Sequence, residues 1–329
     1  MEFCYDSISS SCTRIIKSVS LQCVMYFFMM VLILATVCGN LVVIISIIYF
    51  KQLHTNTNYL ILSLAQCDFL LGVFVMPYTM IFAVEGCWYL GDLFCKIHTA
   101  FDMMLCTASI FHLCSISVDR YFAVCNPLHY RTTITYEMIV IMILSSWLIS
   151  GLFCFAMVFL KLNIKGSDDF YYTHIDCVGG CFVFFNEVSG TIASLFSYFI
   201  PAFVMSGIYL KIYLVARKQT KSIKDIQQQL NDSVSRQQET KAAKTLGIVM
   251  GVFVFLWTPF FLLNFSNPIL HYTVSPILTE TAFWFGYLNS ACNPIIYAFF
   301  YRWFRKSTKI IISGQIFERS SRCTKLLAD

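Results

Sequence analysis

Seven apolar stretches, near 22–49, 57–84, 96–123, 138–160, 189–214, 245–265 and 276–300, constrain this chain more than any motif in it. Each reaches the roughly 20 residues with which an α-helix crosses a bilayer. Strands of a membrane barrel would be half as long and would alternate apolar with polar residues. Inside lipid no water meets the backbone, so a spanning segment must satisfy its own N–H and C=O groups, which a helix does alone. The chain is 58% hydrophobic and 12% charged over 329 residues, so lipid and not water is the solvent for most of it. The fold class is therefore an all-α membrane protein, a seven-transmembrane helix bundle.

Residues 1–20 are polar and no small-residue cleavage site follows a short apolar run, so the first span is expected to act as its own insertion signal. Lys51, Arg120, Arg131, the set from Lys211 to Lys244, and Arg302 through Lys325 fall on one side of the spans, against Arg14, Lys17, Lys96, Lys161 and Lys165 on the other. Positive residues stay in the cytosol, which puts the N-terminus outside. The organisation expected is an extracellular segment 1–21, a bundle 22–300, an amphipathic eighth helix 301–314 and a cytosolic tail 315–329. In that eighth helix Arg302, Arg305, Lys306 and Lys309 share one face, and Trp303, Phe304 and Ile311 face away from them, as in a helix lying on the lipids of the inner leaflet. The stretch Lys218 to Glu239 is polar and glutamine-rich and reads as helical only near its ends. The net charge of +5 belongs to cytosolic loops and calls for no nucleic-acid partner.

Of 15 cysteines, Cys4, Cys12, Cys87, Cys95, Cys177 and Cys181 lie on the outer, oxidising side, where disulfides persist. Cys95 opens the third span, and Cys177 and Cys181 sit in the loop between the fourth and fifth, so one bridge would pin that loop over the bundle. Spacing leaves the connectivity of the six open.

Ionisable groups at bilayer depth cost roughly 3 kcal/mol each on insertion scales, so each one retained marks a candidate site. Asp68 and Asp102 are the two carboxylates with apolar neighbours in mid-span. Asp102 lies seven residues beyond Cys95, about two helical turns, with Met103 and Cys106 beside it in the candidate set. No span carries a Lys or Arg at its middle, so the missing cation would come from a ligand; a carboxylate bonded only to hydroxyls or to Tyr287 is the alternative. Eighteen residues further, Asp119, Arg120 and Tyr121 close the same helix, roughly 27 Å from Asp102. For Asp68, oxygens of Ser109, Asn289 and Asn293 at similar depth make either a sodium site or a plain polar network. No other cofactor is expected.

Trp257, Phe260, Phe261 and Asn264 recur at helical spacing and present one face of the sixth span. Aromatic faces stabilise a desolvated ammonium by roughly 0.5–2 kcal/mol per contact, and Phe283, Trp284 and Tyr287 on the seventh span could complete such a cage. Ser194 and Ser197 on the fifth span could bond a polar group at a ligand's far end, or bond back to their own helix. Pro77, Pro201, Pro259 and Pro294 permit kinks inside spans.

Gly39-Asn40, Leu64-Ala65-x-x-Asp68, Cys95, Asp119-Arg120-Tyr121, Trp147, Pro201, Phe253-x-x-x-Trp257-x-Pro259 and Asn293-Pro294-x-x-Tyr297 occur in order, one set per helix. Together they resemble the rhodopsin-type, class A G-protein-coupled receptors. Asn289-Ser290-x-x-Asn293-Pro294-x-x-Tyr297-x-x-x-Tyr301-x-Trp303-Phe304 is similar to the trace amine-associated receptors, and the likeness extends from Cys4 to Cys323. The resemblance implies a plasma-membrane receptor and no enzyme. It implies that Asp102 holds the ammonium of a small aromatic amine such as phenethylamine or tyramine, and that a heterotrimeric G protein, Gs, raises cyclic AMP. It implies bridges Cys95 to Cys181 and Cys4 to Cys177. It implies a relay through Ile110, Pro201 and Phe253, release of Arg120 from Asp119, and docking by Pro127 and Leu128. Ala193 leaves the fifth span short of the serines of catecholamine receptors, and Leu256 replaces the cysteine usual before the tryptophan of the sixth. Residues 1–21 hold no glycosylation sequon, so partial intracellular retention is expected. The alternatives are a receptor of the same fold tuned to another biogenic amine or a diamine, and an ion-coupled transporter, which would need inverted repeats that the chain does not display.

Overall fold

The computed structural model describes residues 2–225, 230–270, 272–317 and 326, with the side chains of 219–244 and 246 outside that description. Cys323 and the basic residues between Phe317 and Lys325 lie outside the described residues.

Two short strands, β1 (Glu2–Phe3) and β2 (Thr13–Arg14), pair antiparallel ahead of the first span. The spans follow in order. They are α1 (Val19–Tyr49), α2 and α3 (Asn56–Leu70, Met76–Glu85), α4 (Asp92–Cys125), α6 (Tyr136–Phe159), α8 and α9 (Glu187–Ser194, Ile200–Asp225), α10 (Leu230–Ile269) and α11 (Pro276–Phe300). Between them, α5 (Pro127–Thr133) and α7 (Asp168–His174) are short loop helices, and α12 (Arg302–Ile312) follows the seventh span. Six of the spans are long and apolar enough to cross a membrane by length and composition. The seventh, α11, is the polar one, because Asn289, Ser290 and Asn293 all turn inward and are buried. Phe203 on the fifth span is 82% exposed, a face that only lipid can cover.

Both broken spans break one turn before a proline. Pro77 and Pro201 have no N–H to give residue i−4, and their rings clash with that carbonyl. The i−4 residues, Val73 and Ser197, fall inside single π-helical turns, Leu71–Val75 and Leu195–Phe199. The kinks expected at these prolines thus take the form of one wide turn each. At Pro294 the freed carbonyl is that of Ser290, and it accepts the Asn40 amide of the first span at 3.0 Å. Gly39 makes that approach possible, since a Cβ there would sit 2.9 Å from Pro294 Cβ. A further node ties the second, third and fourth spans: Trp147 Nε1 donates to Ser63 Oγ at 3.0 Å, and Ser63 lies 2.7 Å from His112 Nε2.

The reading of Lys218 to Glu239 as helical only near its ends is corrected. Helix runs through Asp225 and resumes at Leu230, with 226–229 outside the described residues. Between Gly207 and Gly247 there is no Pro or Gly to stop a helix, and Lys, Gln, Glu and Ala all favour one. In α12, Trp303 and Phe304 are buried against the bundle, and Ser307 reaches Ser46 of the first span at 2.9 Å.

Candidate functional site

Asp102 faces the bundle interior and is 8% exposed. Tyr287 of the seventh span donates its hydroxyl to Asp102 Oδ1 at 2.9 Å, and the Cys106 thiol lies 3.6 Å from the same oxygen. Among the described residues no lysine or arginine forms an ion pair with Asp102. The carboxylate is therefore placed in a low-dielectric site with one neutral donor of normal length, an arrangement that favours a cation arriving from outside the chain.

The aromatic residues gather beside it. Phe283 lies 4.6 Å from Tyr287, 4.9 Å from Phe260 and 6.2 Å from Trp257, ring centre to ring centre, and Phe260 and Phe261 are 5.2 Å apart. Phe261 stacks on Tyr198 of the fifth span at 4.5 Å. Trp257 reaches this position because the seventh span has Gly286 opposite it; a Cβ there would be 2.6 Å from the indole ring. Trp284 touches Tyr287 edge-on at 5.3 Å. Met103 is half-buried one residue on from Asp102.

Ser194 and Ser197 do not act as a pair. Ser194 closes α8 and Ser197 lies within the wide turn Leu195–Phe199; Ser194 accepts from Asn264 Nδ2 of the sixth span at 3.3 Å, while Ser197 accepts from Thr107 of the third at 3.3 Å. Thr107 on the third span and Tyr198 within the wide turn of the fifth were not among the candidates, yet Thr107 is buried against Ser197 and Tyr198 against Phe261.

Asp68 accepts from Ser109 at 3.2 Å, Ser290 at 2.7 Å and Asn293 Nδ2 at 2.9 Å. Ser290 was not among the candidate ligands, although it stands in the same motif as Asn289. The side-chain oxygens of Asn289 and Asn293 are buried and have no hydrogen-bond partner among the described residues.

At the other end of the third span, Asp119 is fully buried and accepts from Thr57 at 2.8 Å, from Tyr130 at 2.8 Å and from Arg120, whose Nη2 lies 2.6 Å away. Arg120 also donates to Thr57. Burial pushes the Tyr130 phenol up to about 12, with the neighbouring Asp119 carboxylate adding to the effect, so this hydroxyl stays a donor. Tyr121 accepts from Lys211 of the fifth span at 2.9 Å. Pro127 starts α5 and Leu128, 88% exposed, projects from it. Ile110 and Phe253 are buried in the core, Phe253 5.8 Å from Tyr198, and the Cys114 thiol lies 3.9 Å from the Pro201 carbonyl. The Tyr297 hydroxyl is buried without a hydrogen-bond partner among the described residues.

Three bridges close the N-terminal face: Cys95–Cys181, Cys4–Cys87 and Cys12–Cys177. The Cys4–Cys177 pairing is corrected. A parallel bridge between Ser11 and Val178, with the Cys12 N–H donating to the Val178 carbonyl at 2.9 Å, carries Cys12 to Cys177. Cys4, on the opposite strand, lies against the end of the second span near the Gly86 carbonyl and takes Cys87.

Residues 39–297 match the family described as 7 transmembrane receptor (rhodopsin family). Trace amine-associated receptor 1 of Macaca mulatta is 50% identical, and that of Homo sapiens 49%, over 99% of this chain and 98–99% of each relative. Trace amine-associated receptor 4 of Mus musculus is 47% identical over 99% of this chain and 95% of its own. The mouse receptor 1 is also at 47%, so identity alone does not separate the two subtypes. These matches set aside the transporter reading, and the chain belongs to the rhodopsin family of seven-transmembrane receptors, in its trace amine-associated branch.

Proposed function

We propose that the chain is a plasma-membrane receptor for small primary amines with an aromatic body, N-terminus outside, coupling to Gs and raising cyclic AMP. The observation that carries this reading is Asp102, a buried carboxylate without a cationic partner among the described residues, bonded to Tyr287, whose ring continues into the cluster of Phe283, Phe260 and Trp257. An ammonium there pairs with Asp102 while the ligand's ring packs on Phe260, Phe261 and Trp257, and Ser197 or Asn264 meets a polar group at its far end. The carboxylate has lone pairs enough to keep Tyr287 and accept the ammonium. Binding favours a state in which the cytosolic end of the sixth span moves and Arg120 leaves Asp119 for the G protein, with Leu128 docking from α5.

The residues around Asp68 fit a sodium ion: the donor set is all oxygen, hard and partly anionic, and the buried amide oxygens of Asn293, which bonds Asp68, and of Asn289, one turn earlier on α11, lack partners among the described residues. Asp68, Ser109, Ser290, Asn289 and Asn293 would hold it, and its charge would favour the resting arrangement.

The test is a cyclic AMP assay with phenethylamine, tyramine and a diamine on wild type and Asp102→Ala, with surface expression measured for both. Potency of the monoamines is expected to fall by about a hundredfold or more, as for a desolvated charge pair losing one partner. An expressed variant that responds normally sinks the reading.

A further inference from the structure

Tyr198 of the fifth span touches the sixth on both sides of a proline. Pro259 lies inside α10 and has no N–H to give the Phe255 carbonyl, so the sixth span bends most easily there. On the outer side, Phe261 stacks on the Tyr198 ring at 4.5 Å with the planes 5° apart. On the inner side, Phe253 meets the same ring at 5.8 Å. Between them the Thr258 hydroxyl donates back to the Val254 carbonyl at 2.5 Å, a bond of the kind that bends helices. The Tyr198 hydroxyl closes a triangle with these two groups. Its one proton serves either the Val254 carbonyl, 3.0 Å away, or the Thr258 hydroxyl beside it.

Tyr198 is 2% exposed and belongs to the wide turn Leu195–Phe199. A buried phenol needs a partner for its hydroxyl. Here both partners belong to the sixth span, so the two spans are bonded where the sixth has its weakest point. Phe261 also contacts Trp257 at 5.7 Å and Phe260 at 5.2 Å, so the outer end of this tie lies in the aromatic cluster next to Asp102. In the same structure Asp119 holds Arg120. The tie is thus closed while the cytosolic pair is closed.

We propose that Tyr198 is a positioning residue for activation, whose hydroxyl ties the fifth span to the bend of the sixth, holds the resting arrangement, and parts from Val254 and Thr258 when the cytosolic half of the sixth span moves. The inference rests on the receptor reading above, in which that half moves. Ring and hydroxyl have separate duties. The ring, stacked on Phe261, follows what a ligand does to the aromatic cluster. The hydroxyl bonds residues 254 and 258, which a rotation about Pro259 displaces relative to 260–264. Removing the hydroxyl therefore takes a hydrogen bond from the resting arrangement and none from the moved one. The net worth of one such bond corresponds to roughly twofold to tenfold in the ratio of the two arrangements.

The experiment compares wild type with Tyr198→Phe, which keeps the ring and removes the hydroxyl, with Thr258→Val, which removes the other hydroxyl at similar volume, and with Thr258→Ser, which keeps it. Basal cyclic AMP per surface receptor is expected to rise by roughly twofold to tenfold in Tyr198→Phe. It is expected to rise less in Thr258→Val, where Val254 still receives Tyr198, and to stay at the wild-type level in Thr258→Ser. Adding Asp102→Ala is expected to leave the rise in place, since it needs no amine. In purified receptor in lipid nanodiscs, without G protein, hydrogen–deuterium exchange of the peptide 250–262 is expected to quicken in Tyr198→Phe. A wild type silent to every amine, with that quickening intact, would sink the amine reading and support the tie. Unchanged exchange in Tyr198→Phe overturns the proposal. So does faster exchange without a basal rise in a receptor that answers amines, which marks the hydroxyl as structural only, or a Thr258→Ser variant that rises as far as Tyr198→Phe.

Discussion

At Asp102 the decisive fact is what a single hydroxyl contributes. Tyr287 is fully buried and donates to the carboxylate at 2.9 Å, which both orients it and stabilises its charge. Tyr287→Phe leaves the ring packing against Phe283 and Trp284 intact and removes only that donor. A hydrogen bond to a charged group is worth roughly 1.5–3 kcal/mol, so monoamine potency in the cyclic AMP assay is expected to fall by tenfold or more. Maximal response per surface receptor is expected to hold. An unchanged potency would mean that Asp102 needs no orienting partner. Asp102 was legible in the sequence because a mid-span carboxylate is costly whatever surrounds it. Thr107, Tyr198 and Ser290 were not, because hydroxyls are common in spans and only the packing shows which of them turn inward.

At the level of helices, apolar run length was nearly sufficient. Helix ends at the first four spans and the seventh lie within four residues of the positions read from the sequence, because lipid thickness and the basic flanks fix them together. The wide turns at Leu71–Val75 and Leu195–Phe199 could be anticipated only as kinks, since their residues are ordinary apolar ones and the cause is a proline one turn later. The disulfide pairing depended on a hairpin register and on the Ser11–Val178 bridge, which no spacing encodes. Where the sixth and seventh spans touch, Gly286→Ala forces a methyl to within 2.6–2.9 Å of Trp257. Overpacking of this kind costs roughly 1–3 kcal/mol, so the melting temperature of the solubilised receptor is expected to drop. The smaller ring of Trp257→Phe is expected to restore part of that drop in the double variant, whereas a helix-propensity effect would not respond to the ring. At the far end of the third span, Asp119→Asn keeps the shape and removes the charge that holds Arg120. Basal cyclic AMP per surface receptor is expected to rise, and to rise less in Tyr130→Phe, which removes one donor of the same lock. A silent Asp119→Asn would show that Arg120 is restrained elsewhere.

Across the whole molecule, the proposed amine site at Asp102 and the Asp119–Arg120 pair share the third span, and Ser109 lies between them. Ser109 binds Asp68, which also takes Ser290 and Asn293, so three of the spans meet at one fully buried carboxylate, and the carbonyl of Ser290 takes Asn40 of a fourth. Any tilt of the seventh span toward a ligand at Tyr287 must pull on this junction, because Tyr287, Ser290 and Asn293 are spaced one turn apart on α11. On the proposed reading, a sodium ion bound at the junction only in the resting arrangement would oppose the amine, by an amount set by its concentration relative to its dissociation constant. Agonist competition binding in sodium chloride against N-methylglucamine chloride at equal ionic strength is expected to show severalfold weaker agonist binding in sodium. Ser290→Ala keeps the carboxylate and removes one oxygen, so it is expected to reduce the sodium effect. Asp68→Asn is expected to abolish it while the agonist still binds. An equal sodium effect in Asp68→Asn would assign it to surface charge, which ionic strength and not sodium itself controls.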